Sequence, residues 1–120
     1  MRRALPGILI GGVVGSSVRW GATEVGAAVS FEPANVLTAI NALGCFVVGA
    51  AVARWTDVHD PRRLTLGLGF AGGLTTFSAL AVEVAAGVHS NDYSPIVTSI
   101  PLQLLAGVVF FVVGRKTATT

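Results

Sequence analysis

The chain has 120 residues, room for one domain of ordinary size, and a lopsided composition: 52% hydrophobic, 15 glycines and only 12% charged residues. Soluble domains carry roughly 25% charged residues, so this chain cannot clothe a water-facing surface, and soluble enzymes, nucleic-acid binders and disordered tails are all but excluded. Its net charge of +2 and pI near 9.3 come from basic residues at the ends of apolar runs, a signature of membrane orientation and not of nucleic-acid binding.

Three stretches carry no charge: residues 36–53, 64–82 and 96–114, of 18, 19 and 19 residues. A hydrocarbon core about 30 Å thick takes roughly 20 residues of helix at ~1.5 Å each. Each stretch therefore reads as a membrane span. Ahead of them, Arg2 and Arg3 followed by an apolar run resemble the opening of a signal peptide. The run continues to Val18 without a small-x-small cleavage pattern, so it reads as a first span that is retained. Arg19 falls near a membrane face or a water-filled vestibule, because a lipid-facing arginine at mid-depth is costly, and Trp20 beside it suits an interfacial anchor.

In chain order the spans are residues 4–27, 35–55, 64–86 and 96–114. Between the second and third lies the polar loop 56–63, Thr-Asp-Val-His-Asp-Pro-Arg-Arg; between the third and fourth lies 87–95, with His89, Asn91 and Asp92. Pro101 is tolerable near the start of the fourth span. The expected fold is an all-α membrane protein, a single domain over 1–120, with four transmembrane helices in up-down antiparallel order. Such a topology puts Arg2, Arg3, Arg54, Arg62, Arg63, Arg115 and Lys116 on one side, seven of eight basic residues, and only Arg19 on the other. Positive charge stays inside, so both termini are expected in the cytoplasm.

Gly7, Gly11 and Gly15 recur every four residues and line one face of the first span; Gly69 and Gly73 share that spacing. In lipid, such stripes let helix backbones approach closely, either within the chain or between subunits. Catalytic candidates are thin. The lone Cys45 lies inside a span and reads as a small buried hydrophobe. His59 and His89 fall in loops at opposite faces. No His, Cys or carboxylate cluster has metal-ligand spacing, and an enzyme is not expected.

Polar groups inside spans are costly in lipid and tend to be functional. Asn41, in the second span, either bonds a neighbouring helix or lines a pore. The segment Gly72-Gly73-Leu74-Thr75-Thr76-Phe77-Ser78 lies mid-way along the third span and is poor in helix formers. It predicts a break in the helix, and a break frees carbonyl oxygens of the kind that bind Na⁺.

Three motifs together resemble the CrcB/Fluc fluoride channels: Gly11-Gly12-x-x-Gly15-x-x-x-Arg19-Trp20, Asn41-x-x-Gly44-x-Phe46-x-x-Gly49 and Gly72-Gly73-x-Thr75-Thr76-Phe77-Ser78. They cover three of the four spans in the right order. The resemblance implies a dimer of antiparallel subunits in a prokaryotic plasma membrane, fluoride pores at the interface and a central structural Na⁺. Carried over by position, Arg19 is the vestibule arginine, Asn41 the pore-facing amide and Phe77 a pore phenylalanine whose ring edge faces the anion, with Ser78 next to it on the anion pathway. The carbonyls of Gly72 and Thr75 match the sodium site, and Glu83 matches a glutamate common after the phenylalanine motif, a candidate member of a polar network.

Departures are equally informative. The family's usual Thr-Thr-Phe-Ser-Thr-Phe reads Thr75-Thr76-Phe77-Ser78-Ala79-Leu80 here, so Leu80 replaces a second pore phenylalanine. Leu37 stands where a threonine is common, with Thr38 adjacent, and the fourth span's usual tyrosine and serine align with Ser99 and Gln103. Homodimers that insert both ways would show little charge bias, whereas this chain shows seven to one. One half of a heterodimer, paired with a homologous chain of opposite orientation, is therefore the expected assembly. Its alternatives are a self-sufficient homodimeric channel, a small multidrug-type proton-coupled transporter using Glu83, and a non-conducting assembly subunit.

Overall fold

A computed structural model describes residues 3–119; Arg2, counted above toward orientation, lies outside them. The chain is a bundle of helical rods measuring 47 × 26 × 25 Å. Its long axis matches a bilayer of about 40–45 Å including headgroups. Helix α1 spans Leu5–Ala28 and α2 spans Pro33–Arg54. The third rod begins with α3, residues 61–74, built from a first turn at Pro61–Arg63, a π-helical stretch at Leu64–Ala71 and a last turn at Gly72–Leu74. After a break, the rod resumes as α4, Ser78–His89. The fourth comprises α5, Ser94–Val97, and α6, Ser99–Thr117. The rods at 33–54, 61–89 and 94–117 are each long and apolar enough to cross a membrane. By the same measure α1 falls outside that set; its 24 residues include six glycines, Arg19 and Glu24.

Proline marks the starts: Pro6, Pro33, Pro61 and Pro95 all sit in first turns, where the missing N–H would have had no helical acceptor. Pro101 has the opposite effect. Lacking an N–H and crowding the carbonyl four residues back, it resets the fourth rod at Thr98, so that span is two helices and not one. Helices α1 and α4 both stop at a left-handed residue, Ser30 (φ 59°) and Asn91 (φ 57°). In each case the following N–H bonds five residues back, Phe31 to Gly26 at 2.9 Å and Asp92 to Gly87 at 2.8 Å, which satisfies the exposed end carbonyls. His89, expected in a loop, is thus the last residue of α4.

Two parallel pairs of rods build the bundle. Along α1, Gly7, Gly11 and Gly15 face Thr65, Phe70 and Leu74 of α3 in register; a methyl group on Gly11 would lie 2.6 Å from the Thr65 carbonyl oxygen and 2.9 Å from the Phe70 nitrogen. From the other side, a methyl on Gly69 would lie 2.7 Å from the Ile8 carbonyl oxygen, and one on Gly73 would be 3.1 Å from the Gly12 Cα. Backbone therefore lies on backbone along this seam, inside a single chain. The α2/α6 pair repeats the device with Gly49 against Phe111 and Gly114 against Phe46. With first pairing third and second pairing fourth, short turns make successive rods antiparallel.

Among the described residues few apolar side chains are buried: Leu37, Ile40, Leu74 and Leu80, with four alanines. Leu9, Val13, Trp20, Phe77, Val82 and Leu105 are among many large apolar residues that face outward. Such an exterior suits hydrocarbon and other helices, not water. One end gathers basic residues. Arg54 and Trp55 line a cavity with Ala118, the Arg62 guanidinium lies 5.4 Å from the Trp55 ring centroid, and Arg63 donates to the carbonyls of Trp55 and Thr56.

Candidate functional site at the helix break

The third rod ends its first half because Thr75 turns extended (φ −80°, ψ 154°). Both its N–H and its hydroxyl bond back to the Ala71 carbonyl, at 2.9 Å each. A continuing helix would aim the Thr76 N–H at the Gly72 carbonyl; here it donates to Asn41 Oδ1 at 3.0 Å instead. Asn41 Nδ2 donates to the Thr76 carbonyl at 3.2 Å, so one side-chain amide clamps both polar groups of Thr76. The Gly73 carbonyl accepts weakly from the Ser16 hydroxyl at 3.4 Å.

Nδ2 of Asn41 also donates to Gln103 Oε1 on α6, at 2.8 Å. Asn41, Thr76 and Gln103 thereby tie α2, the break and α6 together at one point. Beside them opens a cavity of about 280 Å³, lined by these three and by Cys45, Phe77 and Leu80. Phe77 is 78% exposed, whereas Leu80 is buried. Ser78 exchanges a 2.8 Å hydrogen bond with the Thr76 hydroxyl at the exposed edge of the break. Thus Asn41 and Phe77 line the same cavity, and Ser78 is tied to Thr76, which lines it too.

Other residues of the three motifs lie elsewhere. Arg19 is half-buried, does not line this cavity and makes no hydrogen bond or ion pair within the described residues. Glu83 accepts from the Ser99 hydroxyl at 2.6 Å and lines a second cavity of about 330 Å³ with Thr23, Glu32, Leu37 and Ala79. Thr38, next to Leu37, donates its hydroxyl back to the Ala34 carbonyl at 2.8 Å. Gly72 is exposed at the break, and a methyl group there would meet nothing within 4 Å. Its carbonyl does not receive the Thr76 N–H, which goes to Asn41 Oδ1 instead. Among the described residues, no group of three or more His, Cys, Asp or Glu side chains could hold a metal ion.

Gln103 is the residue that spacing alone undervalued. In the sequence it is only a position that aligns with a serine, yet in the fold it is 8% exposed and central to the cluster. A signal was available: Gln103 is the only amide in the uncharged stretch 96–114 and lies one turn after Ser99.

A broken span, an amide clamp and a mid-span cavity define the site, and comparison with known proteins adds the family. A family model described as CrcB-like protein, Camphor Resistance (CrcB), matches residues 7–115. The chain belongs to the CrcB-like family. It is 35% identical over 109 residues to a protein of Klebsiella pneumoniae (strain 342) named fluoride-specific ion channel FluC, covering 88% of this chain and 85% of that one. A FluC of Xanthomonas euvesicatoria pv. vesicatoria (strain 85-10) is 34% identical over 115 residues, covering 91% and 85%. A FluC 1 of Yersinia pseudotuberculosis serotype I (strain IP32953) is 38% identical over 88 residues, covering 70% and 68%. In this CrcB-like chain the region matched by the family model takes in every residue of the break and the cavity.

Proposed function

We propose that this chain is a subunit of a fluoride-selective channel that lets fluoride leave the cell passively. The observation that carries the reading is the broken span itself: the amides of Asn41 and Gln103 meet the interrupted backbone beside a mid-span cavity, in a family whose named relatives are fluoride-specific ion channels. A passive path suffices for protection. HF crosses the membrane and dissociates inside, and the anion then leaves through the pore. Phe77, exposed at the rim, would present its electropositive ring edge to the anion, Ser78 beside it belongs to the same path, and Arg19 would draw fluoride toward the entrance.

The assembly proposed is a heterodimer with a homologous chain of opposite orientation, with both termini of this chain cytoplasmic. Two features support it: seven of eight basic residues fall on one side, and leucine replaces phenylalanine at Leu80 and threonine at Leu37. A partner would bring the missing ring. The carbonyls of Gly72 and Thr75 would hold a Na⁺ at the centre of the dimer, and the exposed, uncrowded Gly72 leaves space for it. That ion supplies a fixed positive charge that ties the two breaks together. Glu83, bonded to Ser99, would set the position of α4 against α6.

Efflux from proteoliposomes tests this directly. Fluoride-selective release, with chloride retained, is expected when the chain is co-reconstituted with its homologue, and little release from the chain alone. Equal release from the chain alone would replace the heterodimer by a homodimer. If neither preparation released fluoride, the channel reading would be lost; pH-driven uptake of a hydrophobic cation would move it to a transporter.

A further inference from the structure

At the basic end of the bundle a narrow slot runs between α2 and α3. Phe46, Val47, Ala50 and Ala51 of α2 form one wall, Leu66 and Phe70 of α3 form the other, and Arg54 and Trp55 stand at its outer end. Its volume is about 320 Å³. Between Phe46 and Arg54 the helix rises ~12 Å, so the slot averages roughly 27 Å² in section, about a third or less of that of a helix 10–12 Å across. A second helix cannot seat there; a hydrocarbon chain can. The slot is separate from the cavity at the break. At about 100° per residue, Phe46, Val47, Ala50 and Arg54 lie roughly 120–180° around α2 from Asn41, and the two cavities share no lining residue.

Depth decides what each part of the slot meets. The 22 residues of α2 rise ~33 Å, the full thickness of a hydrocarbon core of about 30 Å. Arg54, its last residue, therefore emerges at headgroup level, while the wall from Phe46 to Ala51 lies among acyl chains. Trp55 is of the residue type that marks this boundary. Charge is sorted the same way. Arg3, Arg54, Arg62, Arg63, Arg115 and Lys116 share this end with two carboxylates among the described residues, Asp57 and Asp60. Asp60 is taken by Arg62, and Asp57 accepts the His59 N–H. Arg62 stacks on Trp55, and Arg63 donates to the Trp55 and Thr56 carbonyls. The exposed Arg54 guanidinium makes no hydrogen bond or ion pair within the described residues.

We infer that this slot holds one anionic phospholipid, with an acyl chain between α2 and α3 and its phosphate on Arg54. The arginine fork matches a phosphate bidentately. The excess of positive charge around it selects a lipid of net negative charge. The inference needs the chain to span a membrane and does not need it to conduct.

Native mass spectrometry of the full-length protein in detergent with added lipid tests it. Phosphatidylglycerol is expected to stay bound at one copy per chain. It should bind about fivefold tighter than phosphatidylethanolamine with the same acyl chains, whose ammonium this end repels. Arg54→Gln should weaken phosphatidylglycerol about fivefold, the contribution of one arginine near a charged surface. Arg115→Gln, at the same end but outside the slot, should weaken it less than about twofold. Ala50→Phe fills the slot and should displace the lipid with Arg54 in place. Equal binding of the two lipids, or binding undiminished in Arg54→Gln and Ala50→Phe, would overturn the inference. So would equal losses in the two arginine variants, which would mean diffuse surface charge. Displacement by glycerol phosphate, which has the charge and no chain, would make this a site for soluble anions and not for lipid. Loss of an oligomer in Ala50→Phe with lipid binding unchanged would give the slot to a second copy of the chain, again against the inference.

Discussion

The two halves of the third rod are held in opposite ways. Its first half, α3, lies in a seam of glycines, with Gly11, Gly15, Gly69 and Gly73 letting two backbones touch. The second half, α4, packs only lightly on α2 and α5, and most of its surface is exposed. Where lipid removes the hydrophobic drive between helices, close backbone packing is what holds them. So α3 is fixed by its own chain, whereas α4 is held by a few polar tethers and by Leu80. The break between them is where the protein changes from close backbone packing to a largely exposed helix.

The sharpest way to break this contrast is to add one methyl group at either of two adjacent glycines. At Gly73 a Cβ would collide with the Gly12 backbone, which has no flexible end to swing away. Gly73→Ala should push α3 off α1 and destabilise the fold by about 3 kcal/mol. Gly72→Ala meets nothing within 4 Å, so the fold of the single chain should be unaffected. Thermal unfolding in detergent separates the two. Similar melting points for both variants would show that the seam does not carry the first half.

Next in size is the clamp. Asn41→Leu leaves the Thr76 N–H and carbonyl and the Gln103 Oε1 without their partner. Unsatisfied buried groups cost about 1–3 kcal/mol each, but relaxation at a flexible break should limit the loss to about 2 kcal/mol overall. Amide hydrogen exchange gives the decisive pattern: protection should fall at residues 75–80 and survive along 61–74. Uniform loss would mean that the halves do not act separately.

How legible was this from the sequence? Spans announced themselves because uncharged runs of bilayer length suit hydrocarbon and little else, and the break because Gly72-Gly73 and Thr75-Thr76 are adjacent poor helix formers. Span ends shifted by a few residues where proline chemistry, not charge, sets them: Pro61 starts α3 ahead of the uncharged stretch, and Pro101 splits the fourth rod. The π-helical winding of 64–71 was not legible. Nothing in Leu-Thr-Leu-Gly-Leu-Gly-Phe-Ala marks it, and this stretch lies on the glycines of α1. Nor could spacing show that Asn41 commits both hydrogens to its own chain, since Thr76 and Gln103 lie 35 and 62 residues away. Long-range polar pairing leaves no periodic trace.

A smaller effect is expected at the tether farther along α4. Ser99→Ala removes the hydroxyl that donates to Glu83, a 2.6 Å bond between α4 and α6. Losing one hydrogen bond to a carboxylate should cost about 1–2 kcal/mol, with faster exchange confined to the last turns of α4. If exchange rose equally in α3, the light packing of α4 would not be what makes it separable.

The smallest effect belongs to the start of the tightly packed half. Asp60 caps the first turn of α3, accepting the Arg62 N–H at 2.8 Å and pairing with the Arg62 guanidinium at 3.0 Å. The side-chain hydrogen bond from Arg62 holds the Asp60 carboxyl below its ordinary value. For a carboxylate the sign is fixed: the contribution is complete above the unfolded-state value of about 3.9 and is lost as pH falls through the depressed one. Titration of the Asp60 side chain by NMR should therefore show a midpoint below the ordinary carboxylate range, returning toward it in Arg62→Gln. At neutral pH, Asp60→Asn should scarcely move the melting point, because an asparagine caps nearly as well and the ion pair is exposed to screening. A large loss would mean that the glycine seam depends on its first turn, and that α3 is held at its end and not along its length.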